Sequence, residues 1–206
     1  MASGLFITFE GIDGSGKSTQ AKMLAERLSN KGFDVIHTRE PGGSTGAEDI
    51  RSLVLEGDPD RWSAETEILL FTAARRDHLE KTIRPALNAG KVVICDRFAD
   101  STRLYQGISR GELRKVVDQL HTLMIGLEPD LTFIIDMDPA TGLARALSRQ
   151  TAEERFEGFG EAMQTRMRAG FLDLAREFSD RCIVVDGERE MDVVSGEIAE
   201  LALARL

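Results

Sequence analysis

The chain has 206 residues, 42% apolar and 30% charged, with a formal net charge of −9, which is enough for one sizeable core of ordinary globular composition. The acidic balance argues against a broad nucleic-acid footprint, which needs a basic face, and any site for an anion must be a local basic focus. No run reaches the ~20 apolar residues of a membrane span, no signal peptide opens the chain, and Cys95 and Cys182 sit in apolar runs as small core residues, too few for a disulfide framework or a zinc set; a cytoplasmic protein with no membrane and no nucleic-acid partner is expected.

In chain order, LFITFE (5–10) is a short apolar run ending at a glycine-rich loop, so it reads as a strand. A helix is expected from Lys17 to a stop at Gly32, a residue that suits the position just past a helix end. FDVIHT (33–38) reads as a second strand, REPGGSTG (39–46) as a loop by its Pro and Gly content, and AEDIRSLVLEG (47–57) as a helix closed by glycine. A long helical pattern spans Ser63 to Asn88, with a break or kink expected at Pro85 and a stop at Gly90. KVVICD (91–96), DLTFIID (130–136) and RCIVVD (181–186) are three further buried strands. Asp138-Pro139 has the form of an N-cap followed by Pro at the first helical position, and a closing helix is expected from Met191 to Leu206. Near-continuous apolar strands separated by helices indicate an α/β fold: a five-stranded parallel sheet with helices on both faces, as one domain over 1–206.

The loop after the first strand reads GIDGSGKST (11–19) and fits G-x-x-x-x-G-K-[ST], the phosphate loop of P-loop NTPases. Strand before and helix after are the context that pattern requires. The expected ATP-binding stretch is Gly11, Ile12, Asp13, Gly14, Ser15, Gly16, Lys17, Ser18 and Thr19. Backbone N–H groups would face the α- and β-phosphates, Lys17 would reach the β/γ oxygens, and Ser18 would ligate Mg2+. A carboxylate at Asp13 repels phosphate, so it must face a cation or serve a second substrate.

Several destinations for the phosphate can be compared. A GTP-driven switch needs N-K-x-D, but Asn30-Lys31 is followed by Gly32-Phe33, and the sole D-x-x-G (Asp13 to Gly16) lies inside the phosphate loop. A motor or transporter ATPase usually places an acidic base after its third-strand Asp; here the strand ends Asp96-Arg97. A cation at the C-terminal end of a strand faces the crevice where ligands bind and suggests a second phosphate beside the first. Two anionic substrates point to phosphoryl transfer between nucleotides. A regulatory ATP-binding module and a kinase for another monophosphate remain the alternatives.

At this point FEGIDGSGKST (9–19), TREPGG (38–43), IRSLVL (50–55), LLFTAARRDH (69–78), VVICDRFADSTRLYQG (92–107) and PDLTFIID (129–136) together resemble the thymidylate kinases, a group of nucleoside monophosphate kinases. The resemblance implies ATP and dTMP as substrates, dTDP and ADP as products, Mg2+ as cofactor, a mobile lid and a homodimer. It implies that Phe71 stacks on thymine while Arg75, one helical turn on, donates to its O4 edge. Arg97 would grip the acceptor phosphate and Asp96 would stand near the metal. Ser101 and Thr102 match positions near the base N3 edge, although some relatives carry Asn at the second. Tyr105 would lie against the sugar and favour deoxyribose, with Gln106 reaching the base through water. Asp13 would hold the sugar 3′-OH or act near the metal. Arg39, with Glu40, shapes the acceptor side, and Arg51 resembles an arginine that contacts the acceptor phosphate.

Some members place a catalytic arginine directly after the phosphate-loop Asp, where this chain has Gly14. Bacterial relatives supply it from a lid, here expected over about 145–158, with Arg149 and Arg155 as the lid cations and Arg145 stacked on adenine. Lys17, Asp13, Arg97, Arg149 and Arg155 are therefore the expected catalytic set. The acceptor is already an ionised phosphate oxygen, so no general base is demanded, and His37, His78 and His121 are read as structural or surface residues.

Overall fold

The computed structural model describes residues 4–58, 61–107, 112–148 and 160–206. Its centre is a five-stranded parallel sheet built from β1 (Phe6–Glu10), β2 (Val35–Arg39), β3 (Val92–Asp96), β4 (Leu131–Asp136) and β5 (Cys182–Asp186) in the order β2-β3-β1-β4-β5. Register follows the apolar runs: Phe6 pairs with Val93, Ile7 with Leu131, Val35 with Val92, and Thr132 with Cys182. The three inner strands are buried on both faces, as a parallel sheet covered by helices requires, whereas the two edge strands are only partly covered.

Two layers of helices cover the sheet. On one face α1 (Lys17–Asn30) and α9 (Met191–Leu203) present Leu24, Leu28, Ile198 and Ala202 to Ile7, Phe9, Ile94 and Phe133. On the other, Leu79, Ile83 and Leu87 pack on Phe6, Val93 and Phe98, while Met167, Phe171 and Leu174 of α8 (Gly160–Glu177) pack on Ile134 and Leu104. α2 (Thr45–Leu55) lies on α3 (Ala64–His78) outside this second layer.

The break expected at Pro85 takes a specific form. α3 runs into a π-helical turn at Leu79–Ile83 and then into α4 (Arg84–Asn88), with helical backbone throughout. The widened turn lets the Arg84 N–H reach back to the Leu79 carbonyl just before the residue that has no N–H to offer. α7 (Pro139–Leu147) starts where the Asp-Pro pair places it, with the Asp138 carboxylate accepting from the Thr141 N–H at 3.0 Å. Gly32 stands past the end of α1 with φ +91°. α2 begins two residues before its expected start, with Ser44 at its N-cap position and the Ser44 hydroxyl donating to Asp77 at 2.7 Å, and α9 stops at Leu203.

Three described helices were not assigned from sequence: α5 (Ala99–Tyr105), α6 (Arg114–Leu120), which continues into a π turn at His121–Ile125, and α8. α5 is too short for periodicity to show. α8 buries Gln164, Met167, Phe171 and Leu174, a helical spacing set among arginines and glutamates that mask it.

α5 is locked by a buried charge cluster at the sheet. Asp100 accepts from Arg103 at 2.7 Å and from both Nη atoms of Arg181 at 2.7 and 2.9 Å, and Arg181 also donates to Thr132 at 2.9 Å. Removing one partner of such a cluster leaves buried charge uncompensated. Asp100→Ala is therefore expected to lower stability by about 3–5 kcal/mol, read as a shift in the urea midpoint with unchanged slope; a loss below ~1 kcal/mol would show that the cluster behaves like a solvated surface pair.

Candidate active site

All five strands are parallel, so their C-terminal ends meet at one edge, and the last residues there are Glu10, Arg39, Asp96, Asp136 and Asp186. This edge is where an open α/β sheet binds ligands. β1 leaves it through the phosphate loop, which ends at the N-terminus of α1, where the helix dipole and unpaired N–H groups favour anions. Gly14 cannot be replaced by a larger residue: its φ is +77°, and an added Cβ would stand 1.9 Å from the Gly142 carbonyl oxygen of α7. The space beside Gly14 is thus filled by the backbone of another helix, which leaves no room there for the arginine weighed at this position from sequence. Ser15 is buried, and Ser18 and Thr19 are exposed on the first turn of α1.

The charges of the loop are held in one network. Lys17 donates to the Ile12 carbonyl at 3.1 Å and lies 3.7 Å from Asp13 Oδ1. The same Oδ1 accepts from Arg97 Nη2, and Oδ2 accepts from the Tyr105 hydroxyl at 2.9 Å. Burial opposes ionisation of Asp13, but Arg97, then Lys17 and the Tyr105 hydrogen bond, hold it below the usual carboxylate range. Burial, reinforced by the charge of Arg97, pulls Lys17 down to about 8. Tyr105 is pushed well up by burial and by the charge of Asp13, so its hydroxyl remains a donor.

Arg97 links the loop to the rest of the site. Its Nη1 donates to the Gly11 carbonyl at 3.3 Å and to Ser101 Oγ at 2.9 Å, and its guanidinium lies 5.2 Å from the centre of the Tyr105 ring. Ser101 in turn donates to Glu10 Oε2 at 2.6 Å, while Glu10 Oε1 accepts from the Phe98 and Ser101 N–H groups at 2.8 and 3.2 Å. The Glu10 carboxylate therefore caps α5. Burial, then the charge of Asp100, pushes its pKa up to about 7. Sequence reasoning did not single out Glu10.

Beyond Arg97 a cavity opens between α3, α5 and the loop after β2. Asp13, Arg51, Phe71, Arg75 and Arg97 line it, as do Ser101, Thr102, Tyr105 and Gln106. Arg75 is buried and donates to Thr102 Oγ1 at 3.0 Å, and Gln106 is buried against Glu67 at 3.3 Å. Arg51 donates to the Pro41 carbonyl at the rim. Arg39 does not line this cavity; it is exposed and pairs with Glu48 at 3.2 Å. Glu40, Pro41, Leu55 and Phe98 complete the wall. All four fall inside motifs singled out from sequence, but only Glu40, beside Arg39 in the loop, was named there individually.

A second cleft lies on the other side of the phosphate loop. Gly14, Ser15, Gly16 and Thr19 form one wall, with Arg145 of α7 and the segment Gly187–Met191 after β5 around it. That segment was missed, although its place at the C-terminal end of a strand was available as a signal. Arg149 and Arg155 lie outside the described residues. For a hard cation the donors fit: among the described residues Asp96 Oδ1 is buried without a hydrogen-bond partner, and the Ser18 hydroxyl is exposed on the first turn of α1.

The family model that describes thymidylate kinase matches residues 9–198 of the chain. A thymidylate kinase of Ruegeria pomeroyi is 72% identical over 204 residues, covering 99% of this chain and 97% of that one. A thymidylate kinase of Dinoroseobacter shibae is 66% identical over 202 residues, covering 98% of each. Among solved structures, the crystal structure of thymidylate kinase from Ehrlichia chaffeensis superposes with a TM-score of 0.78 at 39% identity, covering 98% of this chain and 99% of that one. With a phosphate loop at the edge of a β2-β3-β1-β4-β5 parallel sheet and similarity running along the whole chain, the protein belongs to the thymidylate kinase family.

Proposed function

We propose that the chain carries the γ-phosphoryl group of ATP to dTMP across the junction between its two clefts, with ATP against the phosphate loop and dTMP in the cavity between α3 and α5. The observation that carries this reading is the position of Arg97. One guanidinium bonds to the Gly11 carbonyl and Asp13 carboxylate of the phosphate loop and to Ser101 of the cavity helix. A phosphate entering from either side meets the same cation.

Without substrate, Asp13 occupies both Arg97 and Lys17. Entry of two phosphates turns those cations toward the oxygens of donor and acceptor and leaves Asp13 to accept from Tyr105 and the sugar hydroxyl. Transfer between phosphates asks the protein for position and charge neutralisation rather than for a covalent step. Arg97 holds the acceptor phosphate in line, Lys17 gathers the β/γ oxygens, and Phe71 and Arg75 hold the base. Ser18 and Asp96 would hold Mg2+, which would supply charge neutralisation for the transferring phosphoryl group. Arg145 borders the adenine side. The lid is read from sequence, with Arg149 and Arg155 as its cations and exclusion of water as its purpose. We place the enzyme in the cytoplasm as a homodimer.

Three measurements test this reading. In a coupled assay with ATP and Mg2+, strong turnover is expected with dTMP, with much weaker turnover on dUMP, UMP, CMP, AMP, GMP and no acceptor; preference for another monophosphate would overturn the base assignment, and acceptor-independent turnover the transfer itself. Arg97→Ala is expected to reduce kcat by a factor on the order of 10³ or more while the fold persists by circular dichroism. Arg155→Ala should lower kcat with little change in KM for dTMP; a collapse of dTMP affinity with kcat intact would remove Arg155 from the lid role.

A further inference from the structure

Arg75 does not stand alone at the cavity wall. Its Nε donates to Glu40 Oε2 at 2.6 Å and its Nη2 donates to Thr102 Oγ1 at 3.0 Å. Its guanidinium lies 5.0 Å from the centre of the Phe98 ring. Among the described residues Nη1 has no hydrogen-bond partner and Nη2 keeps a second N–H, so Nη1 is the nitrogen with both N–H groups left for whatever fills the cavity. The angle at which that donor is presented is set by the groups that take the others.

Glu40 is the branching point. Its second oxygen, Oε1, lies 3.1 Å from His78 Nδ1, and His78 Nε2 lies 2.8 Å from Thr38 Oγ1. A carboxylate only accepts, so Nδ1 carries a proton and donates to it. The backbone of Glu40 is tied as well, its N–H donating to the Asp96 carbonyl at 2.9 Å. The side chains of Arg75 and Glu40 are each 4% exposed and that of His78 is 0% exposed, so these bonds are sheltered from water. The loop after β2 is built over this imidazole. Gly43 has φ +85°, and an added Cβ would stand 2.3 Å from His78 Nε2 and 2.4 Å from Thr38 Oγ1. None of this is needed to bind a phosphate, and a buried arginine needs only one carboxylate to be neutralised. The extra imidazole fixes the carboxylate, and through it the arginine.

We propose that Glu40 and His78 are positioning residues for base selection: they hold Arg75 so that one fixed donor faces the 4-position of the acceptor base. This rests on reading the cavity as the dTMP site. Thymine presents an acceptor oxygen at that position and cytosine presents an amino donor. A rigid arginine rejects cytosine because two donors then meet without an acceptor, whereas a loosened arginine swings away and the penalty falls.

The test compares kcat/KM for dTMP and dCMP within each preparation, so that the ratio is independent of the fraction folded. Glu40→Ala and His78→Leu are expected to lower the dTMP/dCMP ratio, the first by a factor on the order of ten, through a higher KM for dTMP rather than a lower kcat. His78→Asn, whose amide can donate from near the place of Nδ1, is expected to keep the wild-type ratio. An unchanged ratio in both disrupting variants, or an equal fall in His78→Asn and His78→Leu, would overturn the proposal; if Glu40→Ala does not fold, the two His78 variants decide it. Arg75→Ala separates the two levels of the argument. If it keeps the wild-type ratio, the base-site reading fails and the proposal with it. If it loses the ratio while the Glu40 and His78 variants keep it, only the positioning role fails.

Discussion

Arg97 sits in a backbone conformation that side chains rarely adopt, with φ +67°, and among the described residues no other non-glycine residue has a positive φ. Holding it there costs about 1–2 kcal/mol, so its surroundings must over-determine it. They do so at both ends. Its N–H is bonded to the Phe9 carbonyl at 2.9 Å, which continues the sheet pairing one step past the end of β3. The following turn is held by Glu10, which caps α5 through Phe98 and Ser101. The left-handed turn reverses the chain sharply enough to throw the guanidinium back over the phosphate loop while α5 departs along the cavity. A residue in ordinary extended or helical geometry at 97 would send the cation elsewhere.

The acidity of the protein is reconciled with two anionic substrates by local pairing. Lys17 and Arg97 share Asp13, Arg75 is held by Glu40, and Arg51 leans on a backbone carbonyl. Each of these cations is thus neutralised in place by a neighbouring acceptor rather than left bare in a buried site. Such pairing offsets the desolvation cost of the buried cations while leaving their geometry preset. α5 carries the cavity-lining Ser101, Thr102 and Tyr105 between two anchors, Glu10 at its start and the Asp100–Arg103–Arg181 cluster along its buried side.

The phosphate loop and α7 are joined by absence of side chains. Gly14 meets the backbone of Gly142, and a Cβ on Gly142 would stand 2.9 Å from the Asp13 carbonyl oxygen. α7 is therefore seated directly on the phosphate loop. The close approach leaves no room for a side chain on either glycine, so the phosphate loop and α7 are packed backbone to backbone.

Much of this was legible in the residues. The five apolar runs, the phosphate-loop spacing, the Asp138-Pro139 helix start and the Asp96-Arg97 strand end are local patterns, written in neighbouring residues whose chemistry depends on backbone geometry alone. The motifs around Phe71, Arg75 and Ser101 to Gln106 pointed to one cavity, and these residues do line one. What local pattern could not supply is partnership across distance. Glu10 meets Ser101 across 91 residues, and Glu40 meets His78 across 38, because parallel strands bring their ends together only when the sheet is assembled. Arg39 shows the converse: neighbouring Glu40 in sequence, it turns outward to Glu48, since side chains at the end of a strand alternate between faces. Sequence determined which chemistry the chain possesses; the packing of strand ends against α3 and α5 decided which carboxylate holds which cation, because that choice is made by burial and by hydrogen bonds between segments that no local spacing relates.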